Sequence, residues 1–512
     1  MKLKTSLLAI LLVLFTVQVD FAQIPFLEGG VLGDEMLDGK YEYEELFFLT
    51  GKPVVLKGIV SIPALPKDKD TFTQKVTFDL SNTDENITLT RNITYNVVKT
   101  QKDAITQTLY ERTISKFDET FVTPEGTFTL GKYKYNDSRL YDHSPSVSYF
   151  SGSLLSERTY YLNGDYLTNS GFIKITDDGD PIVGFEHQWG QNETLVNHQE
   201  ITHSIPNPNY DSTNSASKEN LVWNGTLDIN LASTQKVNFV YQGTDPQSIS
   251  FRGSYFKVTT EENVLSINYD LPPLSDAGAI NYDSYKRNIS DVHKSNEVVL
   301  DSQALITPKI RDIGDHWAKD DIFLLTSLEI FDVEKDYFAP DASISRLEFG
   351  KAVVNALEGV LPEPTKTDLI KRKRPGVTTP YLDVLVDDPD YQYYEYIKAH
   401  NIMSGENNYF KPNEPITRAE MVAVLIKALG LEYLAPNPPY KTVFTDDAKI
   451  PEWSKDYVYM ANEIGLISGY SDGSFKPNNR VSKGEAASMI YAFIKHLKDE
   501  ITYDYREKII NR

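Results

Sequence analysis

The sequence predicts a two-part fold: an antiparallel all-β region of sandwich or roll type over residues 23–305, then an α-helical bundle of three repeats. Three observations carry this. Apolar and polar residues alternate through the first part, the period of a half-buried strand. In the last third one short pattern occurs three times, each copy followed by apolar residues at helical spacing. Near residue 305 the alternation stops.

The chain opens with Lys2 and Lys4 and an apolar run from Leu7 to Val17. That run is too short to span a bilayer and has the layout of a secretory signal, so residues 1–22 are expected to be removed, with a cut near Ala22-Gln23. No later stretch is long and apolar enough for a membrane helix, so no membrane insertion is expected after removal. The 512 residues include no cysteine, and an exported chain of this size must then hold together by its core. The formal charge of −22 argues against nucleic acid as a partner, which would need a basic footprint. An anionic partner would have to be met by local cations.

Over residues 23–305, Val76, Phe78 and Leu80 alternate with Lys75, Thr77 and Asp79, and Leu227, Ile229 and Leu231 with Asp228 and Asn230. Further short runs are Phe172–Ile175, Val237–Tyr241, Tyr255–Val258 and Val264–Tyr269. Thr, Tyr, Val and Ile dominate them, and turn residues punctuate them. Asn163-Gly164-Asp165 and Asp177-Asp178-Gly179-Asp180 read as hairpin turns. Asn207–Asn220 reads as a long loop or as a seam between two β domains. Pro272–Val298 reads as polar and irregular. His187, His198 and His203 lie close in sequence, but no accompanying carboxylate or Cys–His spacing supports a metal site, and surface or structural roles are expected. No nucleophile elbow, phosphate loop or His-Glu-x-x-His is present. No cofactor and no catalytic residue is expected.

The three copies are Ser345-Arg346-Leu347-Glu348, Thr417-Arg418-Ala419-Glu420 and Ser482-Lys483-Gly484-Glu485. Upstream, each carries Phe-x-Pro: Phe338 and Pro340, Phe410 and Pro412, Phe475 and Pro477. Downstream, apolar residues recur at i, i+3, i+4, i+7 and i+8. Ser or Thr followed three residues later by Glu is a capping box, so these residues are assigned to folding. The cation between them has no such role, since a positive charge at a helix start is disfavoured by roughly 0.3–1 kcal/mol. Arg346, Arg418 and Lys483 read either as solvated surface residues or as anion sites beside free backbone N–H groups. The threefold recurrence favours the anion site. The basic run Lys371-Arg372-Lys373-Arg374 reads as a solvated loop.

These copies resemble S-layer homology repeats, the cell-wall-anchoring modules of bacterial envelope proteins. The resemblance rests on Gly469-Tyr470-Ser471-Asp472-Gly473-Ser474-Phe475-Lys476-Pro477, on Ile416-Thr417-Arg418-Ala419-Glu420, and on Ile313-Gly314-Asp315-His316-Trp317-Ala318. It covers residues from about 310 to 498, with repeats at 306–360, 381–434 and 440–498, a linker at 361–380 and a tail at 499–512. It implies a pseudo-threefold helical bundle whose grooves bind an anionic secondary cell-wall polysaccharide, often one bearing pyruvate ketals. Arg346 and Arg418 inherit the carboxylate-binding role, because a guanidinium makes two parallel hydrogen bonds to a carboxylate. Lys483 keeps the charge and loses the fork. Trp317 and Trp453 occupy the family's opening aromatic position, for stacking on a sugar or for packing at a helix start. The second repeat has Asp387-Asp388-Pro389-Asp390-Tyr391 there.

The expected protein is therefore a secreted, non-enzymatic wall or surface-layer component, anchored through Arg346, Arg418, Lys483, Trp317 and Trp453, with the β region as a structural or binding surface. The rivals are a wall-held glycan-active enzyme, a solute-binding or adhesin module, and a self-assembling lattice subunit.

Overall fold

The computed structural model describes residues 29–499, except 38, 64–65, 67–68, 104–105, 125, 164–170, 178, 208, 214–218, 244–252, 276–279, 283, 363, 366–371 and 373–378. The signal segment and the Asn163-Gly164-Asp165 turn lie wholly or partly outside these residues.

The first part is one antiparallel sheet of fourteen strands: β1 (Gly30–Leu37), β2 (Lys40–Phe47), β3 (Val54–Ser61), β4 (Thr71–Asn82), β5 (Ile87–Asp103), β6 (Gln107–Thr123), β7 (Gly126–His143), β8 (Ser148–Leu162), β9 (Phe172–Asp177), β10 (Asp180–His187), β11 (Gly190–Pro206), β12 (Asn220–Gln242), β13 (Ser254–Leu271) and β14 (Asn288–Ala304). Neighbours in sequence pair in order, with one exception. Strands β9 and β10 do not pair with each other. Both lie between β8 and β11, one after the other in a single lane. The expected hairpin at Asp177–Asp180 is therefore a break within a lane, where the Asp177 carboxylate accepts the Ser156 N–H at 2.6 Å.

The sheet curls on itself into a roll. Terminal strands β1 and β14 come side by side, joined by Asn296 Nδ2 donating to the Leu32 carbonyl, and Lys294 of β14 reaches past β1 to Glu44 of β2 at 2.7 Å. Strands far apart in order meet inside: Phe47 of β2 packs on Phe121 of β6 and Tyr160 of β8, and Phe48 packs on Tyr269 of β13. The expected alternation holds, with Val76, Phe78, Leu80, Leu227, Ile229 and Leu231 all inside.

Charges also point inward, in pairs. Arg91 binds Glu45 and Glu119, each at 2.9 Å, and Tyr160 donates to Glu119. Asp137 receives Arg112 and Arg139, and Arg139 reaches Glu193 at 2.8 Å. An ionised group this deep persists only when paired.

Three sequence readings are refined by the structure. The runs at Leu227–Leu231 and Val237–Tyr241 belong to one strand, as do Tyr255–Val258 and Val264–Tyr269. Of the two readings of Asn207–Asn220, the structure has the loop: it connects β11 to β12 within one sheet. The last part of Pro272–Val298 is not irregular: Asn288 onward forms β14, whose alternation is weak because Val298 is its one buried apolar residue among the described residues.

Among the described residues the second part holds six named α-helices: α1 (Lys319–Ser327), α2 (Arg346–Glu358), α3 (Tyr391–Ala399), α4 (Arg418–Leu429), α5 (Glu452–Glu463) and α6 (Lys483–Asp499). Both halves of the capping box form at Ser345/Glu348, Thr417/Glu420 and Ser482/Glu485. Each repeat's first helix packs on the preceding repeat's long helix: α3 on α2, α5 on α4, and α1 back on α6. The ring also closes through the backbone. Ile344 N–H donates to Val481, Val481 to Ile416 and Ile416 to Ile344, at 2.9, 3.1 and 3.2 Å.

The roll docks where the three long helices end. Trp189 donates its indole N–H to the Ala356 carbonyl of α2 at 2.9 Å, Ser144 lies against Gly430 after α4, and Lys498 of α6 sits over the Phe239 ring. Val147, Phe185, Trp189 and Val237 of the roll share one buried cluster with the helical core.

Candidate functional site: the seams between repeats

Each long helix starts at a seam with the following repeat. The first two N–H groups of α2 donate to Glu414 and Pro412, those of α4 to Asn479 and Pro477, and those of α6 to Ala342 and Pro340. The third N–H goes to the capping hydroxyl. The expectation of free N–H groups beside the cations is thus wrong. Those donors are spent on tying consecutive repeats together.

The Phe-x-Pro turns that receive these donors are themselves held. The carboxylates of Asp312, Asp383 and Asp446 each accept two consecutive N–H groups, from Phe338 and Ala339, Phe410 and Lys411, and Phe475 and Lys476, at 2.7–3.0 Å. Burial would raise the Asp312 carboxyl, but these N–H bonds outweigh it and hold it below its usual range. Ala339, Lys411 and Lys476 all have φ near +57°, a strained conformation for a residue with a Cβ. Sequence reasoning missed the three aspartates, which stand 26, 27 and 29 residues before their Phe, a spacing too variable to mark them.

The cations are not solvated surface residues either. Arg346 and Arg418 are each 8% exposed. Arg346 spans the first seam: Nε donates to the Phe410 carbonyl at 2.9 Å, Nη1 to Glu420 at 2.7 Å and Nη2 to the Ser404 carbonyl at 3.3 Å, above the Phe410 ring. Lys483 crosses the third seam to Glu348 at 2.7 Å. Burial would raise the Glu348 carboxyl, but hydrogen bonds from Lys483 and the Ser345 N–H hold it below its usual range.

The second seam differs. Arg418 lies over the rings of Tyr470 and Phe475 at 4.9 and 5.3 Å, and its Nη2 donates to the Ser468 carbonyl at 3.0 Å. Its Nε has no hydrogen-bond partner among the described residues. Among the described residues no carboxylate forms an ion pair with it: Glu485, the counterpart of Glu420, instead receives the Tyr470 hydroxyl at 3.2 Å.

Trp317 and Trp453 are 67% and 56% exposed, so neither is a packed core residue. Trp453 stands in the first turn of α5, the helix that packs on α4, which Arg418 begins. Trp317 follows His316, whose ring occupies the space beside Gly484 next to Lys483. In the second repeat Tyr391 is buried and Arg372 covers its ring at 4.5 Å while reaching Glu395. That residue of the basic run is docked, and the other three lie outside the described residues. The histidines are dispersed: His187 stacks on Phe185, His198 pairs with exposed Asp228, and buried His203 stacks on Trp223.

The family model for the S-layer homology domain matches residues 309–349, 388–422 and 443–487. An amylopullulanase of Thermoanaerobacterium thermosulfurigenes is 28% identical over 187 residues, 36% of this chain and 9% of that protein. A surface layer protein of Brevibacillus choshinensis is 34% identical over 95 residues, 18% of this chain and 8% of its own length. A cellulosome-anchoring protein of Acetivibrio thermocellus is 32% identical over 88 residues, 17% of this chain and 20% of its own length. The chain spans only 9–16% of the length of the first relatives it matches, and the enzymes among them share the repeat region alone. The carboxyl-terminal part of this chain, residues 309–487, is built of three S-layer homology repeats.

Proposed function

We propose that this is a cell-surface protein anchored non-covalently to an anionic secondary cell-wall polysaccharide, with its β-roll displayed outward as a structural or binding surface. The observation that supports it most is the seam at Arg418, where a buried guanidinium lacks a carboxylate on a helix that also packs against exposed Trp453's helix. A carboxylate-bearing sugar, such as a pyruvate ketal, matches that chemistry, with charge met by the fork and the sugar face by the indole. Arg346, Lys483 and Trp317 line the equivalent places in the other seams. Relatives described as a surface layer protein and a cellulosome-anchoring protein support the wall location.

An enzymatic role for the roll is the weaker reading. Its most deeply buried carboxylates, Glu45, Glu119 and Asp137, are tied to arginines, which suits a structural role. The test is pelleting of the full chain with wall sacculi, before and after chemical stripping of the secondary polymer. Binding lost on stripping supports the proposal. Binding that survives stripping, or no binding, refutes it.

A further inference from the structure

The three seams are built alike and filled differently. In the first, Glu420 stands at 2.7 Å from Arg346, and in the third, Glu348 at 2.7 Å from Lys483. Each of these glutamates is the capping acid of the next helix, so the following repeat supplies the carboxylate. In the second seam the matching acid, Glu485, is turned to Tyr470, and the ring of that tyrosine lies on Arg418. The position five before the Phe is Val333 in the first repeat and Gly405 in the second, and neither can act this way. Arg418 is left buried, charged and short of an acceptor.

We propose that the helical module takes up one carboxylate group per chain, at Arg418 between the second and third repeats, and that Glu420 and Glu348 fill the other two seams as resident carboxylates. This rests on the wall-polymer reading above and sets its stoichiometry. A ligand carboxylate entering the first seam would have to displace Glu420 from a charge-assisted hydrogen bond, gaining little by exchange. At Arg418 it displaces no anion. The fork then carries the selectivity, since a buried donor left unpaired is unfavourable and a ligand that pairs it gains accordingly.

Calorimetric titration of the full chain with a methyl glycoside bearing a pyruvate ketal tests this. One site per chain is expected, with affinity lowered at least tenfold in Arg418→Gln. Glu420→Gln keeps the capping box, because Gln also serves at that position. It is expected to raise the stoichiometry to two by freeing Arg346. Two or three sites in the unaltered chain, full affinity in Arg418→Gln, or a single site in folded Glu420→Gln would each overturn the assignment. No glycoside binding by a chain that still pellets with sacculi also overturns it while leaving wall anchoring intact. Loss of pelleting would instead remove the anchoring itself.

Discussion

Arg346 and Glu420 join two repeats through one carboxylate. Glu420 Oε1 receives the arginine of the first repeat at 2.7 Å, and Oε2 receives the Thr417 N–H of the second at 2.9 Å. One side chain thus caps a helix and clamps a seam. Arg346→Ala is expected to destabilise the chain by about 2 kcal/mol or more, because the Phe410 and Ser404 carbonyls lose their donor and Glu420 its partner. Urea unfolding measures it. An unchanged midpoint would show that the seam holds without this arginine.

Arg418 is expected to behave otherwise. It has no ion pair to lose, so Arg418→Gln should leave the urea midpoint within about 1 kcal/mol of the unaltered chain. A loss as large as that of Arg346→Ala would show that the stacked guanidinium is chiefly structural.

Trp189 couples roll to bundle. Trp189→Ala removes a buried indole and its bond to Ala356, an expected loss of about 3–5 kcal/mol. Because the indole sits at the junction, scanning calorimetry should resolve one transition in the unaltered chain and two in the variant. A single transition in both would mean that the remaining contacts suffice.

His203 gives a pH signature. Burial lowers its pKa from 6.5 to about 4 in the folded chain, so as pH falls the unfolded chain takes up its proton first. The stability it contributes is complete above about pH 6.5 and is lost as pH falls through about 4. His203→Phe keeps the stack on Trp223 without the titration. Between pH 7 and 4 the unaltered chain should lose up to about 3 kcal/mol more than this variant. Parallel stability curves would contradict the assignment.

The helical half was the more legible part of the sequence because its signals are local. A capping box and an apolar stripe lie within about a dozen residues, and all three of each are in place. The strands were found by alternation, but their lengths were not. In β12 and β13 the middle of the inward face is polar, with Gln235, Glu261 and Asn263 buried, so the alternation fades where the strand continues. The partner that permits such burial, Gln235 for Glu261, lies on the neighbouring strand. The three cations were legible as a recurring feature, and their surroundings were not. Their acceptors, Ser404, Phe410, Glu420 and Ser468, belong to the next repeat, and spacing within one repeat gives no sign of them.

The closed circuit of backbone bonds through Ile344, Val481 and Ile416 has an architectural consequence. A linear array of repeats has two ends, frays from them, and can gain or lose a unit at modest expense. A circuit of three has no end. Each turn that a helix start needs belongs to the next repeat, and the last helix finds its turn, at Pro340 and Ala342, in the first. Removal of any one unit leaves one helix start without acceptors and one turn without donors. The number three is therefore fixed by closure, and the module holds its structure as a whole or not at all.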